Sequence, residues 1–264
     1  MTASPEILIS LSAFGADEVR RHGQHWFACL AQAAGADGVE VRSELLTAPA
    51  TELAALAQLS IDASLPMVYS SAEGLWTSEG ALDAAALERA LDATALLRAR
   101  RLKMSIGGFG AASAGSLQML KESLRGREIA LLIENDQTPT AGTLLPLQRF
   151  FTAANDAGLS LGMTFDMGNW HWTGECPLQA AHACAPAVRY VHCKGVQRQP
   201  QRWIAVPLTE STAPWRSILR ALPADVPWAI EYPLAGADLQ QATRAQIAQL
   251  RALAADMGGA GAPL

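Results

Sequence analysis

An apolar run of strand length followed by an amphipathic stretch of helix length recurs eight times along this chain, and that alternation constrains the fold more than any other feature. The runs are Ile7–Ser12, Gly38–Arg42, Pro66–Ser71, Leu102–Ile106, Ile129–Glu134, Leu161–Asp166, Val188–His192 and Trp228–Glu231. Strands alternating with helices predict a parallel sheet, and eight such units predict a (β/α)₈ barrel. A doubly wound open sheet is the competing topology. It would want a glycine-rich phosphate loop after the first strand, and Ser12-Ala13-Phe14-Gly15-Ala16-Asp17 is not one. A chain of 264 residues without a composition break suits one such domain, residues 1–264, with 258–264 as a loose tail.

The helices predicted between the strands are 17–34 (capped by Asp17 and closed by Gly35), 49–62, 83–100, 117–124, 143–157 (closed by Gly158), 178–184, 215–222 and 239–257. The Arg/Gln/Trp segment after His192 reads as irregular.

Four successive runs stop abruptly on a side chain that metals favour: Glu134, Asp166, His192 and Glu231, spaced by 32, 26 and 39 residues. Each gap is about one βα unit, if eight units fill roughly 250 residues. In a parallel barrel the carboxyl ends of all strands open on one face, so these four groups are expected to converge there. Any one of them alone reads as a paired carboxylate or a packed histidine; four at equivalent strand ends point to a cation site. Three carboxylates and an imidazole suit Mn²⁺, Mg²⁺ or Co²⁺ rather than a thiolate-bound structural zinc.

Bulk properties exclude other classes. The net charge of −5 invites neither nucleic acid nor an anionic membrane. No run approaches the roughly 18 apolar residues of a membrane span, and the amino terminus lacks a secretory pattern. Cys29, Cys176, Cys184 and Cys193 are scattered with no Cys-x-x-Cys pair, which predicts reduced thiols in a cytoplasmic protein.

Ile133-Glu134-Asn135, Phe165-Asp166-Met167-Gly168-Asn169, Val191-His192-Cys193-Lys194 and Ile230-Glu231-Tyr232 together resemble the xylose-isomerase-like barrels, a family of sugar and sugar-phosphate isomerases and epimerases. The resemblance spans essentially the whole chain. In the 3-epimerase branch it implies that Glu134 and Glu231 bind the metal and also serve as the two proton-transfer bases. It further implies that Arg198, six residues after the metal histidine, contacts substrate hydroxyls. Asn169 stands where that branch usually has a substrate-contacting histidine, and Thr140 where it tends to carry a second glutamate. The metal set thus looks intact while the substrate shell is altered, a variant similar to epimerases associated with bacterial 2-ketogluconate use. Relatives are often dimers or tetramers, so a homo-oligomer is compatible with the resemblance.

Proton transfer beside a sugar carbonyl passes through an enediolate, whose charge a divalent ion can hold. The expected activity is therefore metal-dependent isomerisation or epimerisation of a small keto-sugar, sugar acid or sugar phosphate. A sugar or cyclitol dehydratase on the same barrel is the alternative, followed by a non-catalytic sugar-binding relative. The nuclease branch of the superfamily, which uses zinc clusters and many histidines, does not fit a chain with five histidines. For substrate contacts, Glu40 shares a strand face with Arg42 and is expected in the barrel mouth, a layer salt bridge being the alternative. Lys103 is read as a structural ion partner or a substrate anchor. Lys194 and Arg198 are expected to receive an anionic group. Trp170, Trp172 and Trp203 lie in loops after the sixth and seventh strands, and one indole, Trp203 foremost, is expected to cover a sugar ring. The Arg98, Arg101 and Lys103 cluster reads as basic residues completing a helix end.

Overall fold

Side chains of a strand point alternately to opposite faces, and this chain fills both. In the computed structural model, which describes residues 4–259, eight parallel strands close into a barrel. In chain order the elements are β1 (Ile7–Ser10), α1 (Ala16–His22), α2 (Gln24–Ala34), β2 (Gly38–Arg42), α3 (Pro49–Asp62), β3 (Met67–Trp76), α4 (Ala84–Leu96), β4 (Arg101–Gly107), α5 (Leu117–Leu124) and β5 (Ala130–Glu134). Then follow α6 (Leu144–Asp156), β6 (Gly162–Asp166), α7 (Trp170–Thr173), α8 (Pro177–Cys184), β7 (Val188–Cys193), β8 (Gly195–Arg198), β9 (Trp203–Val206), α9 (Trp215–Ala221), β10 (Trp228–Ile230) and α10 (Leu239–Gly259). The ring runs β1-β10-β7-β6-β5-β4-β3-β2, while β8 and β9 form a separate antiparallel pair.

The outward-facing residues, such as Val39, Val41, Leu131, Ile133 and Val191, are buried against the helices in one large core. The inward face carries a second, smaller apolar cluster of Leu8, Val68, Leu132, Tyr190 and Ala229. Two residues further along the same strands, on the same face, stand Ser10, Ser70, Glu134, His192 and Glu231. The barrel is therefore plugged by apolar side chains below and lined by ionisable ones directly above, toward the carboxyl ends where this fold places its sites.

Several expectations need correction. The first helix is two helices, because Gly23 takes φ +80° and its N–H closes α1 on the Val19 carbonyl. Gly15, not Asp17, is the residue preceding α1. The helix expected over 83–100 stops at Leu96, with Asp83 as its N-cap accepting from the Ala86 N–H at 2.9 Å. Its last turn holds no basic residue; Arg101 instead opens β4, and Lys103 is buried within it. Strand β3 runs five residues longer than its sequence suggests and slips register against β4 between Ser70 and Gly74. Gly107 permits the approach that follows: its φ is +60°, and a Cβ there would collide with the Trp76 carbonyl oxygen. The segment read as irregular is the β8–β9 hairpin. Helix α10 continues to Gly259, two residues into the stretch expected to be loose; residues 260–264 of that stretch, like 1–3, lie outside the described residues. Among the described residues no helix is long and apolar enough to cross a membrane.

Candidate metal centre

Glu134 closes β5, Asp166 closes β6, His192 is the penultimate residue of β7, and Glu231 directly follows β10. Asp166 and His192 are register partners on neighbouring strands, and His192 is likewise opposite Ala229. One ligand atom from each of the four residues lies within 4.8 Å of the other three. His192 Nδ1 is 2.9 Å from Glu231 Oε2, 3.0 Å from Glu134 Oε1 and 3.7 Å from Asp166 Oδ2.

Each carboxylate is pinned by one oxygen and presents the other. Glu134 Oε2 accepts from Lys103 Nζ at 2.7 Å, while its buried Oε1 has no hydrogen-bond partner. That oxygen lies within ion-pair distance of His192 Nδ1 but outside hydrogen-bond geometry, because the ring nitrogen is aligned on Glu231. Glu231 Oε1 accepts from Arg42 Nη1 at 2.7 Å, leaving Oε2 at the centre. Asp166 Oδ1 accepts from the Gly168 and Asn169 N–H groups at 2.8 and 2.9 Å, leaving Oδ2. The Asp-Met-Gly-Asn sequence is thus a turn that clamps its own carboxylate. Asn135 ties β5 to β6: its Nδ2 donates to the Asp166 carbonyl at 3.0 Å and its Oδ1 accepts from the Asp166 N–H at 2.9 Å.

Behind the histidine stands Glu40, whose Oε2 is 2.8 Å from His192 Nε2. A carboxylate on Nε2 holds a proton there and aims Nδ1 at the three oxygens turned to the centre, as a carboxylate behind a metal-binding histidine does. Glu40 is fully buried and also accepts from Ser10 and Arg42. It therefore lies behind the site instead of lining the mouth as expected, because a buried histidine needs an acceptor on its far nitrogen. Its kinship with Arg42 on one strand face holds.

Electrostatics keep the cluster charged. Burial alone would raise the Glu134 carboxyl, but Lys103 and His192 outweigh it and hold the group below its ordinary value. Glu231 is held well below its ordinary value, burial being overcome by His192, Lys194 and Arg42. Asp166 goes the other way: burial pushes it up more than Lys194 and His192 bring it down. Burial disfavours a charged His192 ring, yet Glu231 and Glu40 hold it well above the usual imidazole range, so a cation at Nδ1 would have to replace a proton. A divalent ion fits this donor set. Three hard oxygens and one imidazole nitrogen converge, and one of the oxygens is buried without a donor.

The remaining expected substrate residues divide. Lys103 is 1% exposed, paired with Glu134 at 2.7 Å and Glu40 at 3.5 Å, which is the structural of its two readings. Asn169 is buried with both ends of its amide used, Nδ2 on the Asn135 carbonyl and Oδ1 accepting from Gln137 and Lys194. Lys194 reaches the cluster itself, 2.7 Å from Asp166 Oδ2 and 2.8 Å from Glu231 Oε2. Arg198 and Trp203 are joined to each other and to none of the four: Arg198 is exposed on the hairpin, its guanidinium 5.2 Å from the Trp203 ring centre. His171 packs on the same indole at 4.8 Å. Trp170 is wholly buried and Trp172 half-buried. An apolar cavity of about 490 Å³ lined by Phe109, Pro139, Thr140 and Arg149, among others, contains none of the four groups. Arg42 and Asn135 were not singled out as site residues. Arg42's alternation with Glu40 was the available signal, whereas nothing in the sequence marks the cross-strand role of Asn135.

No protein-family model matches the sequence, and no curated protein does. Solved structures do resemble it. A xylose isomerase domain containing protein from Salmonella typhimurium superposes with a TM-score of 0.72 at 15% identity, covering 97% of this chain and 99% of that one. A D-allulose 3-epimerase from Methylomonas sp., solved with D-allulose, gives 0.65 at 15% identity, covering 94% and 97%. A probable 3-DHS dehydratase from Bacillus anthracis gives 0.66 at 14% identity, covering 93% and 98%. At such identities the likeness is one of fold, and the fold of this chain is that of the xylose-isomerase-like (β/α)₈ barrels.

Proposed function

We propose that this chain is a divalent-metal-dependent isomerase or epimerase of a small keto-sugar, sugar acid or sugar phosphate, with Glu134 and Glu231 as its proton-transfer groups. The observation that carries the reading is the convergence of Glu134, Asp166, His192 and Glu231 within 4.8 Å, each carboxylate fixed by one oxygen and turning the other to a common centre. When bound there, a divalent ion supplies Lewis-acid stabilisation of the oxyanion that develops as a proton leaves the carbon beside a carbonyl. Glu134 and Glu231 are both kept ionised, so either can accept that proton at the oxygen it turns to the centre. Lying on β5 and after β10, with β6 and β7 between them in the ring, they can flank a ketose, as inversion of a stereocentre requires. Arg42 and Lys103 orient the two carboxylates, and Asp166 with its backbone clamp holds the third ligand oxygen. Arg198 and Trp203 on the hairpin would meet the substrate's outer hydroxyls and ring face. Free cysteines, two of them buried, suit a reducing compartment such as the cytoplasm.

The test is a screen of ketoses and keto-acids in heavy water with added Mn²⁺, read by NMR. The reading predicts deuterium beside the carbonyl without loss of water. Loss of water instead would assign the dehydratase activity, and exchange with no substrate in the screen would contradict both.

A further inference from the structure

Lys194 stands where a cation belongs. Its Nζ is 2.7 Å from Asp166 Oδ2 and 2.8 Å from Glu231 Oε2, the two oxygens that those carboxylates also turn toward His192 Nδ1. It thus takes up two of the four ligand atoms of the centre. Lys103 makes the contrast: it meets Glu134 on Oε2, the pinned oxygen, and leaves the free Oε1 alone. One lysine therefore orients a ligand from behind, and the other occupies the ligand face.

Resting on the metal reading above, we infer that the Lys194 ammonium is a tethered place-holder for the divalent ion, holding the ligand set together in its absence and leaving when it binds. Two cations sharing the same two oxygens repel strongly in a site this buried. Without the ammonium or a metal ion, Glu40, Glu134, Asp166 and Glu231 would stand against Arg42, Lys103 and at most a protonated His192, leaving four buried carboxylates short of positive charge. The tether is built for the movement. Lys194 lies two residues beyond His192 toward the open end of the barrel, and its side chain keeps 10% of its surface exposed where Lys103 keeps 1%. Its stem passes Gly168 so closely that a Cβ there would come within 2.7 Å of the Lys194 Cδ. Asn169 Oδ1, 3.2 Å from the ammonium, is a further acceptor outside the ligand set.

The chain has three lysines, Lys103, Lys121 and Lys194, so the movement can be read directly. Brief acetylation of the native protein with and without saturating Mn²⁺, followed by peptide mass mapping, should label Lys121 in both states, Lys103 in neither, and Lys194 only with Mn²⁺. In parallel, Mn²⁺ titration of Lys194→Met should show affinity about tenfold or more tighter than the unsubstituted protein, because the competing charge is gone. Lys194 equally protected in both states overturns the inference while leaving the metal centre standing, as does unchanged affinity in a folded Lys194→Met protein. If Lys194→Met does not fold, the labelling decides alone. No Mn²⁺ binding to either protein overturns the metal reading and this inference with it.

Discussion

Glu134, Asp166 and Glu231 share a construction in which one carboxylate oxygen is held by a lysine, a pair of backbone N–H groups or an arginine, and the other is left to the centre. Glu134→Gln or Glu231→Gln keeps the shape of that arrangement and removes the proton acceptor. Either should cut exchange of the substrate α-proton by roughly 10²–10⁴-fold with an unchanged circular dichroism spectrum; undiminished exchange would remove that residue from the mechanism. Glu40→Gln acts through His192 and should weaken Mn²⁺ affinity by about 10–100-fold in a direct titration, whereas unchanged affinity would show that the histidine needs no acceptor on Nε2. Lys103→Ala leaves Glu134 and Glu40 short of a buried partner and should cost roughly 3–5 kcal/mol in urea unfolding. A loss under 1 kcal/mol would mean that the pair is not desolvated. The strand-final residues were legible in the sequence because an apolar run that stops on a charge marks its own end. Glu40 was misplaced because alternation tells which face a side chain takes but not how deep in a barrel it lies.

At the level of elements, the strands and most helices follow from periodicity, and α3 (Pro49–Asp62) and α5 (Leu117–Leu124) match it to the residue. The failures have local causes. Gly23 interrupts an otherwise continuous amphipathic pattern by taking a left-handed φ. The β8–β9 hairpin is hard to read from sequence because its strands are four residues each, lie outside the barrel ring and join through the polar turn Gln199-Pro200-Gln201-Arg202. The β3 extension depends on Gly74 and Gly107 meeting across strands, a tertiary contact that no sequence window contains. Gly107→Ala should therefore lower stability by about 1–3 kcal/mol, read as a drop in melting temperature; an unshifted melt would show that the β3–β4 contact yields freely.

For the whole molecule, two concentric apolar layers carry the barrel, and the polar stratum sits on the inner one. Burial in the folded body pushes the Cys184 thiol up to about 11 and that of Cys193 higher still, while Cys176 is exposed. A thiol reagent at neutral pH should modify Cys176 in the native protein and reach Cys184 and Cys193 only on unfolding; equal native rates would contradict the packing. Fold class was legible from the eightfold alternation. The pinning of each ligand was not, since it comes from Arg42, Lys103 and Asn135 reaching across strands. Everything functional depends on whether Glu134, Asp166, His192 and Glu231 hold one ion between them. Equilibrium titration with Mn²⁺ followed by electron paramagnetic resonance tests this most directly. One site per chain is expected, lost in Asp166→Ala and in His192→Ala; no bound Mn²⁺, or a site untouched by both substitutions, would show that the four groups hold no common ion.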